Sequence, residues 1–97
     1  MKSRDEIGVL FEATAVAQET ITDALTSARA LRLVQRLELA GPDYAGVLAC
    51  AWAIARDLPT RRRDDEHMVS LARALRGAIV AVLRPAPVGL DRRDIHG

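Results

Sequence analysis

The sequence is poor in the residues that most often carry chemistry or covalent structure. Cys50 is the only cysteine, which excludes an intrachain disulfide and gives no sign of a secreted disulfide scaffold. There is one Phe, one Tyr and one Trp. With so few rings, a core must be filled by Leu, Val, Ile and Ala, which suits helices meeting at close range. Strand formers are sparse and Ala is abundant, again favouring helix over sheet. Gln18 and Gln35 are the only side-chain amides, and Lys2 is the only lysine. No apolar run approaches the roughly 18 residues that would span a bilayer. The first residues, MKSRDEIGVLFEATAVAQ, are acidic early and have no long apolar stretch, unlike a signal peptide. The expectation is therefore a cytoplasmic protein without a membrane segment.

The formal net charge of +1 is too small to imply a nucleic-acid or membrane surface by itself. The cations are almost all Arg, which suits bidentate contacts and interfaces, although a GC-rich gene would give the same bias. Hydrophobic residues make up 49% of the chain and charged ones 28%, a globular balance. At 97 residues the chain reads as one domain with a thin core.

Gly41-Pro42, Leu58-Pro59 and Pro85 divide the chain into three helical segments and a tail. In the first, Ser3 and Glu6 have the spacing of a capping box. Between Gly8 and Gly41 there is neither Gly nor Pro, so the pattern predicts one long helix from Arg4 to Ala40, about 55 Å at the helical rise. Its weak point is Glu19 to Asp23, where β-branched residues cluster and Thr20 or Thr22 could cap a new helix. Its apolar stripe is read as Ile7, Leu10, Phe11, Ala17, Ile21 and Leu25. The second segment, Asp43 to Asp57, carries Tyr44, Val47, Leu48, Ala51, Ile54 and Ala55 on one face. Trp52 and Cys50 lie off that stripe. The third, Asp65 to Arg84, has Met68, Leu71, Ala72, Leu75, Ile79, Val82 and Leu83 in alternating three and four steps. The expected fold is thus all-α, a small bundle of three main helices over residues 1–84 with a flexible tail over 85–97, whose isolated apolar residues are Leu90 and Ile95.

Residues 45–55 read AGVLACAWAIA, eleven positions without a polar side chain. A helix that is apolar all round is surrounded all round. Two neighbouring helices would leave one side bare, and a bare apolar strip marks a binding surface. A second copy of the chain would complete the burial, a homodimer being the commonest arrangement. The first segment agrees. Its acids, Glu12, Glu19 and Asp23, precede its bases, Arg29, Arg32 and Arg36, so two such helices lying antiparallel would set acid against base. The expected interface comprises Tyr44, Val47, Trp52, Ile54 and Leu37 together with Arg29, Arg32 and Arg36.

Chemistry finds little support. His67 and His96 lie in separate parts of the chain, short of the three or four convergent ligands a metal needs. Cys50 sits between alanines with no base beside it. There is no nucleophile elbow, P-loop or dinucleotide fingerprint. An enzyme, a metal site or a cofactor is not expected. The rival reading is nucleic-acid binding by Arg61, Arg62, Arg63, Arg73 and Arg76. Against it, Asp64, Asp65 and Glu66 occupy the helix end that would enter a groove, and the linker is long for a helix-turn-helix. The function expected is a small non-enzymatic protein-interaction module: an adaptor, an assembly subunit or an inhibitor of a larger machine.

Overall fold

A computed structural model describes residues 4–62 and 65–84, with side chains from residue 7 onward. The Ser3 capping box, Arg63, Asp64 and the tail with Leu90, Ile95 and His96 lie outside the described residues. The described residues form four α-helices: α1 (Arg4–Thr22), α2 (Ser27–Ala40), α3 (Ala45–Asp57) and α4 (Glu66–Leu83). Single 3-10 turns at Pro42–Tyr44 and Leu58–Thr60 lead into and out of α3. There is no strand among the described residues.

The long first helix is therefore corrected to two. The chain turns after Thr22, and the turn is built without Gly or Pro. Asp23 takes a left-handed φ of 66°. The backbone N–H of Ala24 then donates to Glu19 O at 2.8 Å, and that of Leu25 to the same oxygen at 3.2 Å. The first is the six-to-one bond of a Schellman-type helix end, which satisfies a terminal carbonyl. The new helix is capped by Thr26, not by Thr20 or Thr22. Thr26 is extended, and its hydroxyl accepts from the Arg29 N–H at 3.2 Å. The hydroxyls of Thr20 and Thr22 instead donate back to Val16 O (2.7 Å) and Gln18 O (3.1 Å) of their own helix. Placing Asp23 left-handed costs roughly 1–2 kcal/mol. Folding α1 back buries Val9, Leu10 and Val16, each worth about 1.5–3 kcal/mol. Burial wins, and the helix breaks.

The helices pack in a ring, α1 against α2 and α4, and α3 against the same two, with little direct contact across it between α1 and α3. α1 and α2 run antiparallel. Glu19 pairs with Arg29 near the turn, and Glu12 pairs with Arg36 seven residues farther along each helix. α1 and α4 are also antiparallel, since Arg76 donates to Gln18 Oε1 at 2.6 Å while Leu83 shares a hollow with Ile7, Leu10 and Phe11 near the start of α1. This is the up-and-down bundle that short connections favour.

The core takes Leu33 and Leu37 from α2, Val47, Ala51 and Ile54 from α3, and Met68, Ala72, Leu75 and Ile79 from α4. α1 contributes a face of mostly small residues, with Ala13, Val16, Ala17 and Thr20 buried, so that its backbone lies close to its neighbours. The stripe expected on α1 is accordingly shifted. Leu10 and Ala17 are inside, but Phe11 is 73% exposed and Ile7 45%. The apolar arc of α1 is wider than its contact, and the smaller residues won the inside. The stripes of α3 and α4 lie where their periodicity puts them, except that Leu83 is exposed.

Candidate interaction surface

α3 carries two apolar stripes with different fates. Val47, Ala51, Ile54 and Ala55 face the core. Ala45, Ala49 and Trp52, spaced as one helical stripe, face outward. With Val34, Glu38 and Leu48 they line a groove of ≈ 300 Å³ between α2 and α3. Trp52 is 51% exposed, so the indole forms a wall of the groove and does not fill it. The other walls are methyl and isopropyl groups. Glu38 supplies the one charge and makes no ion pair among the described residues.

The apolar positions assigned to an interface are thereby separated. Trp52 stays on the surface. Tyr44, Val47, Ile54 and Leu37 are buried within a single chain, so their place on an exposed face is corrected. The reason is that α2 and α4 both pack on the inner stripe of α3, which turns Val47 and Ile54 into the core and leaves only the outer stripe bare. The groove residues Val34, Glu38, Ala45, Leu48 and Ala49 were missed. Their signal was the spacing of Ala45, Ala49 and Trp52, hidden because alanine marks neither inside nor outside.

The basic stripe of α2 is likewise used at home. Arg29 Nε lies 2.6 Å from Glu19 Oε1. Arg36 pairs with Glu12, whose side chain is only 9% exposed. Arg32 alone of the three is exposed and unpaired among the described residues. Complementarity expected between two chains is satisfied between two helices of one chain.

Arg61 also turns inward. Its guanidinium lies 3.1 Å from Asp23 Oδ1, donates to Thr20 O at 3.4 Å, and is 18% exposed. It caps the end of α1 from the α3–α4 connection. Of the other arginines considered for nucleic acid, Arg62, Arg73 and Arg76 are exposed, and Arg76 is bonded to Gln18.

At the end of α3, Asp57 accepts two bonds from the Arg56 guanidinium (3.0 and 3.3 Å) and lies 2.7 Å from His67 Nε2. The Arg56 bonds, then the His67 bond, hold its carboxyl down at about 2. Asp65 caps α4 by accepting from the His67 N–H at 3.0 Å. Cys50 is half-buried, and burial pushes its thiol up, away from the reactive thiolate. Among the described residues, no three His, Cys, Asp or Glu side chains gather as a metal site, and no helix is long and apolar enough to cross a membrane. Compared with protein-family models, curated proteins and solved structures, the chain matches none of them.

Proposed function

We propose that this protein is a small non-enzymatic interaction module whose α2–α3 groove receives an apolar helix of a partner protein. It would act by occupying that partner's surface, as an adaptor, an assembly subunit or an inhibitor does. The observation that carries the reading is Trp52, half-exposed on a bundle that buries Leu33, Leu37, Ile54, Met68 and Leu75 completely. Trp is the residue most enriched among interface anchors. An apolar groove with a single charged residue on its wall suits the helix-in-groove mode of recognition. Glu38 favours a partner helix with Arg or Lys beside its apolar stripe.

Trp52 is the only Trp, so its emission reports on the groove directly. The test captures proteins from a cell lysate on the wild type, on Trp52→Glu and on Phe11→Glu, the last altering a different exposed ring. A partner of the groove is retained by the wild type and by Phe11→Glu and lost with Trp52→Glu. On titration it shifts the indole emission to shorter wavelength. Capture indifferent to Trp52→Glu, or titration without that shift, overturns the reading.

A further inference from the structure

We propose that the chain also exists with residues 4–40 as one unbroken helix, in which α1 leaves its own bundle and completes that of a second copy. Exchange of this kind keeps the contacts α1 makes with α2 and α4, because the partner offers the same two helices.

The first observation is phase. The buried positions Val9, Ala13, Val16 and Thr20 of α1 and Ala30, Val34 and Leu37 of α2 belong to one series of alternating four and three steps. Its missing members are Asp23 and Ser27, at the turn itself. A straight helix would therefore present both buried faces to the same side, where two bundles could share it. The second is register. The Glu19–Arg29 and Glu12–Arg36 pairs are both centred on Ala24. In a pair of antiparallel 4–40 helices the same ion pairs form between copies, and the two-fold axis passes beside Ala24, where a small side chain allows close approach.

The third is the bend. Asp23 is the one residue other than glycine with positive φ among the described residues, and Asp23-Ala24-Leu25-Thr26 contains no residue that forbids helix. Strained short hinges favour exchange. Arg61 opposes it. The Thr20 carbonyl, to which Arg61 donates, is the acceptor an unbroken helix would give to the Ala24 N–H. The Asp23 carboxylate that Arg61 holds would have to turn away. Arg61 therefore keeps the monomer closed. The α2–α3 groove takes no part in the exchange, so the proposed function stands or falls separately.

Two charge-reversed copies give the decisive test. Glu12→Arg alone and Arg36→Glu alone each set like charges together within a bundle. Refolded as a mixture, they restore both ion pairs only in an exchanged heterodimer. The expected result is a one-to-one heterodimer by light scattering after size exclusion, with more helix than either variant alone. On the otherwise unaltered chain, Arg61→Ala raises the dimer fraction in concentrated refolding. Added to Arg61→Ala, where the Asp23 ion pair is already gone, Asp23→Gly makes the bend easy and lowers the dimer fraction by about fivefold per hinge, and Trp52→Glu leaves it unchanged. The proposal is overturned if the mixture gives no heterodimer and Arg61→Ala stays monomeric at every concentration. It is equally overturned by a dimer that Trp52→Glu abolishes and Asp23→Gly leaves alone, since that dimer meets face to face.

Discussion

Asp57 sits between a guanidinium and an imidazole at the end of α3. Its carboxyl moves from the ordinary 3.8 to about 2 because Arg56 and His67 both bond the ionised form. A carboxyl more acidic in the folded chain than in the unfolded one stabilises the fold above about 3.8. That contribution disappears as the pH falls from there toward about 2. Arg56→Ala should raise the Asp57 midpoint most and His67→Ala less, as followed by the carboxyl carbon shift in an NMR titration. Equal midpoints in both variants and the wild type would remove this account. None of this was legible in the sequence, where Asp57 and His67 are ten residues apart across a connection of unknown path. Arg61 teaches the same lesson. In a run of three arginines it looks like a phosphate ligand, but the end of α1 and Asp23, far back in the chain, take its charge.

The hairpin of α1 and α2 shows which parts of an element are readable. The stripes of α3 and α4, and the Gly41-Pro42 stop, where Gly41 takes φ 108°, follow from periodicity and backbone rules. The break at Asp23 does not. Asp, Ala, Leu and Thr are all tolerated in helices, and the energy that bends the chain lies in distant burial of Val9, Leu10 and Val16. Within the hairpin the Glu12–Arg36 pair matters most, because Glu12 Oε2 is buried with no hydrogen-bond partner. Removing Arg36 leaves a sequestered charge, whereas Arg32 makes no ion pair among the described residues. Arg36→Ala should cost about 2 kcal/mol, below the full buried-pair figure because Arg36 itself is partly exposed. Arg32→Ala should fall within about 0.5 kcal/mol of the wild type. Thermal melts followed by helical circular dichroism would check the contrast, and equal losses would contradict it.

At the scale of the whole molecule, the three helices expected from the sequence are four, α1 folding back beside α2 and α4. α2 and α4 cover the inner stripe of α3 and leave the outer one, so the surface to be explained shrinks to Trp52, its alanines and the walls supplied by α2. A second exposed ring, Phe11, lies in the hollow shared with Leu83. The ring of helices also joins α1 to α4, the first element to the last. α1 and α2 meet through neighbours in sequence, so their hairpin can form as soon as that stretch of chain is available. The α1–α4 seam must wait for the remainder, at a greater loop-closure cost. Substitutions between α1 and α2, such as Arg36→Ala, which removes the partner of Glu12, should therefore slow folding. Those between α1 and α4, such as Leu10→Ala, which empties the buried side of the hollow shared with Leu83, should chiefly hasten unfolding, as stopped-flow chevrons would resolve; the reverse assignment would refute the order. On a ribosome, the acidic helix and its basic mate would close on each other while α4 was still being made, and the last helix would enter a seat already half built.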